Sequence, residues 1–275
     1  MQQDMRPRLE TILVICVLLA IPRTLAGQPV VAVMGIPDEI VAIERQLRDP
    51  REVTVHGHVF REGTLNGRQV VVGRSPAGKV NAAIVATVLI GHFKPAALFF
   101  SGTAGAVDPT LRPGDVVIGT SVAQHDVGLQ TPNSIKRRGL RNAVSGEMDP
   151  ILMPAPEALL ATARRSISGL TLPALTTNEG DRIPRVVEGV IVTGDVFLAD
   201  ATRRDELRSS LGATAIEMEG AAVVQACRQF SVSCLVVRSI TDRADGQALS
   251  SYQQYIAPAS ENAAAVVVAI ITQPR

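Results

Sequence analysis

Apolar residues along the chain fall into short continuous runs separated by stretches with helical spacing. Residues 30–34 read as a first buried strand, followed by a helix over 40–47. Residues 53–64 and 68–73 flank Asn66-Gly67, a pair suited to the positive φ values of a tight hairpin. A helix is predicted over 81–91. Residues 96–100 are wholly apolar and end on Ser101-Gly102-Thr103-Ala104-Gly105, which reads as a strand-end loop. Further strands are predicted over 115–119, 187–193 and 234–239, and further helices over 154–166, 200–210, 219–229 and 259–271. Strands without polar alternation are buried on both faces. Alternating them with helices predicts an α/β sheet covered on both sides. Ligands in such sheets sit beyond the carboxyl ends of the strands.

The 275 residues suit one large α/β domain. Hydrophobic residues make up 46% and charged residues 19%, enough for a full core and unlike a disordered chain. Aromatics are 3% with no Trp, which argues against base-stacking platforms for single-stranded nucleic acid. Lys and Arg total 27 against 26 for Asp and Glu, so no basic excess points to a nucleic-acid partner.

Residues 12–21 carry no charge, follow Arg6 and Arg8, and precede Thr24-Leu25-Ala26. The run is too short to span a bilayer and has the order of a secretory signal peptide. The expectation is cleavage after Ala26 and a single domain over 27–275. That domain would be exported to the periplasm or medium, without membrane association. Cys16 falls in this leader. Cys227 and Cys234 lie in apolar helix and strand patterns and read as two buried thiols, although an oxidising compartment permits a bridge.

Four segments put polar groups at strand ends: Gly35-Ile36-Pro37-Asp38-Glu39, Ser101 to Gly105, Ile216-Glu217-Met218-Glu219-Gly220 and Arg238-Ser239-Ile240-Thr241-Asp242. Singly, each has a plain structural role. Glu39 complements a helix dipole, the glycines make a tight turn, and Asp242 caps a short helix. Carboxylates at the rim of an apolar sheet are costly unless bonded or used. His56 and His58 read as alternating on one strand without a third ligand, so no metal is expected. No cofactor is expected either.

Together these segments resemble the purine nucleoside phosphorylase and nucleosidase superfamily. So do Pro109-Thr110-Leu111-Arg112-Pro113-Gly114-Asp115, His125-Asp126, Thr193-Gly194-Asp195-Val196-Phe197 and Glu217-Met218-Glu219-Gly220-Ala221-Ala222. Within the superfamily the chain is most similar to the 5′-methylthioadenosine/S-adenosylhomocysteine nucleosidases. The resemblance implies a three-layer α/β/α sandwich with a central mixed, twisted sheet, and a homodimer. It implies that Asp242 protonates adenine N7, that Glu219 binds the ribose hydroxyls and that Met218 packs on the sugar. It also implies that Phe197 stacks on the base, that Leu198 meets the adenine edge through its backbone, and that Glu39 orients water, with Asp38 as the neighbouring alternative. Glu217, Thr103, Thr241 and Ile36 join the set of substrate contacts. Arg238 reads as an ion-pair partner that positions Glu217 and Glu219. His125-Asp126 and the Gly73 to Lys79 turn read as structural.

These residue types suit glycosidic cleavage, which builds positive charge on the ribose and negative charge on the base. Phosphorolysis needs cations for a dianion. Neither Gly35 to Glu39 nor Phe99-Phe100-Ser101 supplies one, so water is the expected nucleophile. Two other readings stand beside the hydrolase: a phosphorylase, and an exported nucleoside-binding protein without turnover. The departure from the family lies between Val127 and Pro154, which has no aromatic and carries Lys136, Arg137, Arg138 and Arg141. In the nucleosidases this stretch helps close the pocket for the 5′ substituent. Here the cations read as a solvated loop.

Overall fold

The computed structural model describes residues 30–132, 134–177 and 180–273, so the expected leader lies outside the described residues. The first half of the chain gives β1 (Val31–Gly35), α1 (Pro37–Glu44), β2 (Arg48–Val55), β3 (His58–Leu65), β4 (Arg68–Arg74), α2 (Lys79–Phe93), β5 (Ala97–Ala106) and β6 (Val116–Gln124). The short strands β7 (Gly128–Gln130), β8 (Ile135–Arg137) and β9 (Met153–Pro154) follow. Then come α3 (Glu157–Ile167), β10 (Leu175–Thr177), β11 (Gly180–Arg182), β12 (Val186–Thr193), α4 (Ala201–Leu211), β13 (Ala213–Glu217), α5 (Gly220–Gln229), β14 (Ser233–Asp242) and α6 (Ala248–Thr272).

Local chemistry explains the element ends nearest the cleft. Pro37 opens α1 where its missing N–H has no partner to lose, and Asp38 and Glu39 follow in the first turn. Asp200 caps α4 by accepting from the amides of Thr202 and Arg203, and Gly212 ends that helix in the left-handed region.

The main sheet runs β13-β12-β6-β14-β5-β1-β4-β3-β2. It is mixed: β5 lies parallel to both β1 and β14, while β14 runs antiparallel to β6. Its far edge curls back, because β13 also pairs antiparallel with the end of β5, Ala215 opposite Ala106 and Ile216 opposite Gly105. That closure brings the carboxyl end of β13 beside those of β5 and β14. One apolar cluster packs α2 and α5 on one face, and a second packs α1, α3 and α6 on the other, which gives the three layers. By length and composition α6 could cross a membrane, but more than half of its apolar window is buried inside the fold.

Several expectations are revised. The segment Ser101 to Gly105 is not a loop: β5 continues through it, buried at every residue, because β14 and β13 pair with it to the end. The stretch 53–64 is two strands. His56 and Gly57, with φ of 48° and 82°, turn between them, so His56 does not share a strand with His58. The Asn66-Gly67 turn is present, with φ of 47° and 81°. The last helix starts well before 259. Pro258 sits inside it, and dense packing of Tyr255, Ala259, Ser260 and Asn262 offsets the backbone bond that proline removes. Strand β13 was not anticipated.

The two buried thiols are also corrected. Cys227, near the end of α5, is joined in a disulfide to Cys234 at the start of β14, with Cα atoms 6.2 Å apart. Burial and bridging coexist here, because the short turn between the two elements brings the residues face to face. The bond closes a small loop, worth about 2 kcal/mol in the chain-entropy account. Reduction, or Cys234→Ser, is expected to lower the thermal midpoint in calorimetry. Identical transitions with and without reductant would show that the bond contributes nothing.

Candidate active site

A cavity of about 220 Å³ opens at the carboxyl ends of β5, β13 and β14, beneath the starts of α1 and α6. Glu39, Glu217, Glu219 and Asp242 line it, with Thr103, Thr241, Ile36, Met218, Phe197 and Leu198. All ten sequence-expected site residues are therefore brought together. Asp38 is exposed and lies outside the lining, which separates it from Glu39.

Arg238 organises the floor. It is 1% exposed, and its guanidinium lies 4.2 Å from the centre of the Phe100 ring. It donates to Glu217 Oε2 through Nε at 3.2 Å and Nη2 at 2.6 Å, and Nη2 stands 3.9 Å from Glu219 Oε2. Glu217 also accepts from the Thr193 hydroxyl and from the amides of Glu219 at 3.1 Å and Gly220 at 2.7 Å. Five donors thus occupy its oxygens. Glu217 borders the cavity but is an anchor for Arg238 and for the start of α5 rather than a free acceptor for a ligand.

The other three carboxylates are less committed. Glu39 accepts from the Thr103 hydroxyl. Burial pushes its carboxyl up to about 7, against the lowering influence of Arg238. Glu219 Oε1 accepts from the Gly78 amide at 2.7 Å, and burial followed by the Glu217 charge pushes it up to about 7 as well. Asp242 accepts from the Ala244 amide at 2.8 Å, and its Oδ2 lies 2.8 Å from the Thr241 hydroxyl. Burial raises it above the ordinary aspartate range.

Two backbone devices aim Asp242. The β14–β5 register slips between Ile240 and Asp242. This bulge lets the consecutive residues Thr241 and Asp242 both face the cavity, which strict alternation forbids. Ala244 then takes φ of 48°, which returns its amide to the carboxylate.

The glycines of β5 serve close approach. A Cβ on Gly105 would sit 2.8 Å from Asp242 Oδ1, and one on Gly102 would overlap Glu39 Oε2 and lie 2.7 Å from Arg238 Nη1.

Polar bonds join three loops at the rim. Lys79 Nζ meets Asp126 Oδ1 at 2.7 Å, the Lys79 amide donates to Asp195 Oδ1 at 2.8 Å, and the Asp195 amide donates to Asp126 Oδ2 at 3.2 Å. Asp126 and Lys79 thus hold the rim, while neither ring nitrogen of the buried His125 has a hydrogen-bond partner among the described residues. In the basic stretch, Arg137 is tied to Glu206 and to the His125 carbonyl, while Lys136 and Arg138 are exposed.

Tyr252, Leu249, Val196, Ile216 and Ala77 also line the cavity and were missed. Tyr252 packs edge-on to Phe197, ring centres 5.7 Å apart. It is one of only two tyrosines in the chain, a signal that was open to notice.

A mixed sheet with this carboxylate-lined cleft at its strand ends defines a class. The chain belongs to the Phosphorylase superfamily, whose family model matches residues 29–272. Within it the chain belongs with the 5′-methylthioadenosine/S-adenosylhomocysteine nucleosidases. It is 35% identical over 243 residues to the one from Psychromonas ingrahamii, covering 88% of this chain and 97% of that protein. It is 32% identical over 242 residues to the one from Mycobacterium tuberculosis, covering 87% and 95%. The crystal structure of the Neisseria meningitidis nucleosidase with methylthio-immucillin-A superposes with a TM-score of 0.73 at 28% identity, covering 89% of this chain and 99% of that one. The native futalosine hydrolase of Helicobacter pylori gives 0.73 at 27%, covering 88% and 97%.

Gly102→Ala is expected to push Glu39 and Arg238 out of place, and so to reduce turnover by at least about tenfold while the fold persists. Near-normal turnover in a steady-state assay would show that the close approach at Gly102 is not needed.

Proposed function

We propose that the protein hydrolyses the N-glycosidic bond of a 5′-substituted adenine nucleoside, of the methylthioadenosine or adenosylhomocysteine type, and releases adenine. The observation that carries this is the convergence of Glu39, Glu219 and Asp242 on one cavity whose lining holds no Lys or Arg among the described residues. Burial keeps Asp242 protonated further up the pH scale than an ordinary aspartate, which suits a donor to N7. Glu39, fixed by Thr103, takes a proton from water as that water attacks C1′. The C1′–N9 bond breaks, its electrons go to the base, and the Asp242 proton neutralises them. Glu219 accepts from the ribose hydroxyls, and those bonds tighten as the sugar becomes cationic. Phosphate would meet carboxylates here, since Arg238 is already bound to Glu217.

Two further parts of the reading concern context. Export from the cell is supported by the leader-like residues 12–26 and by the Cys227–Cys234 bond, which persists in oxidising compartments. A homodimer is supported by apolar side chains left exposed near the rim, Val80 and Ile84 on α2 and Val196 beside Asp195. The N-terminal residue of the protein recovered outside the cell, and its sedimentation, check these two parts.

Adenine release from 5′-methylthioadenosine in phosphate-free buffer tests the central reading. Asp242→Asn is expected to slow it by ~10²–10⁴-fold with binding largely retained. No adenine from the wild-type protein, or 5-methylthioribose 1-phosphate as the product once phosphate is added, would overturn it. The pH profile has a fixed sign. Glu39 and Glu219 act ionised, so kcat/KM is expected to fall as pH drops through about 7. Asp242 acts protonated, so its ionisation makes the rate fall as pH rises, and burial moves that limb above the ordinary aspartate range. An acid limb near the ordinary glutamate value of about 4.3 would show that burial does not govern the site.

A further inference from the structure

Asp242 borders two cavities. One is the cleft. The other, also about 220 Å³, lies on the far side of the first turns of α6. Leu249 and Tyr252 line the cleft, whereas Gln247, Ser251 and Tyr255 line the second cavity, so α6 and Asp242 form the partition. The rest of the second wall is mostly charged, with Arg112, Arg243 and Asp245. Gln247 is exposed, and Asp245 and Ser251 are partly so, which opens this cavity to solvent. A polar space of this size has room and partners for water.

Hydrolysis leaves Asp242 with a need that the cleft does not meet. The residue is 3% exposed, and a nucleoside in the cleft covers that side of it. When the C1′–N9 bond breaks, the Asp242 proton passes to N7 and the base becomes neutral adenine. The ionised carboxylate then accepts from that N7–H, a charge-assisted bond that holds the product in place. The proton taken from water is meanwhile on Glu39. Glu39 is tied to Thr103, and Asp242 to Thr241 and Ala244, so the two carboxyls share no partner across which that proton could pass.

On the reading that the cleft takes an adenine nucleoside, we propose that the second cavity is a proton port, which brings solvent protons to Asp242 while adenine still occupies the cleft and so frees the product. A proton from a hydronium ion or a buffer acid joins the Asp242 carboxylate, leaving water or the buffer base behind. The carboxyl becomes neutral, its bond from N7–H weakens, and adenine leaves. Glu39 returns the water-derived proton to solvent once the sugar departs, so each turnover takes up one proton and gives one back. Asp245 supports this use of the cavity, because its charge adds to burial in favouring protonated Asp242.

Ser251→Leu narrows the port at a position that does not line the cleft, and Gln247→Leu narrows it from the exposed side should the first variant not fold. Rapid-quench measurements with 5′-methylthioadenosine read the first turnover, steady-state assays read kcat, and thermal midpoints check folding. The first turnover is expected to stay within about twofold of the wild type while kcat falls about fivefold, so that adenine forms in a burst. In the variant kcat is also expected to rise with the concentration of a small buffer acid at fixed pH, which slow product release of any other origin would not show. An unchanged kcat, a first turnover that slows in step with kcat, or a slowed kcat indifferent to buffer acid would each overturn the port and leave the hydrolase reading intact. If the wild type forms no adenine even in the first turnover, the hydrolase reading fails and the port falls with it.

Discussion

The buried pair of Arg238 and Glu217 underlies everything else at the site. An ion pair taken out of water is worth having only if its remaining bonds are made. Here Glu217 takes the guanidinium, a hydroxyl from β12 and two amides from the start of α5. Four elements of the fold therefore meet on one carboxylate. The ring of Phe100 on β5 supports the other face of the cation. With Arg238 held, its positive field reaches Glu39 and Glu219 and moderates the effect of their burial.

This arrangement lets one small cavity hold three carboxyl groups, each on partners of its own. Each carboxylate has its own local partners: a hydroxyl for Glu39, a loop amide for Glu219, and a hydroxyl and a returning amide for Asp242. Separation is enforced by the backbone. The curl of β13 onto β5 brings Glu217 and Glu219 to the cleft from one side, while the bulge in β14 delivers Asp242 from the other. Glycines on β5 leave the room in which two of these side chains pass close to the main chain.

Much of this was legible in the sequence, and what was missed has physical reasons. The strands with continuous apolar runs were visible because burial on both faces removes alternation. The set of strand-end motifs located Glu39, Glu219 and Asp242 and their neighbours, although no single motif did so. The path of residues 101–105 was misread because glycine favours loops locally, whereas here it is demanded by carboxylates arriving from β14 and α1. Tyr252 was missed for a related reason. The last helix was predicted only over 259–271, so residues 248–257 belonged to no predicted element, and only tertiary packing carries α6 through Pro258. The pairing of Cys227 with Cys234 depends on how tightly the chain turns after α5, which residue types alone do not state.

The rim tie has a consequence for traffic into the cleft. Lys79 and Asp126 sit where solvent reaches them, side chains 15% and 28% exposed, and they clasp the loop that carries Phe197. Attraction between charges in contact with water weakens as dissolved ions accumulate around them. The clasp is therefore looser in brine than in fresh water. The hold on the Phe197 loop, and with it the edge of the cleft, depends on ionic strength in a way that the buried Arg238–Glu217 pair does not.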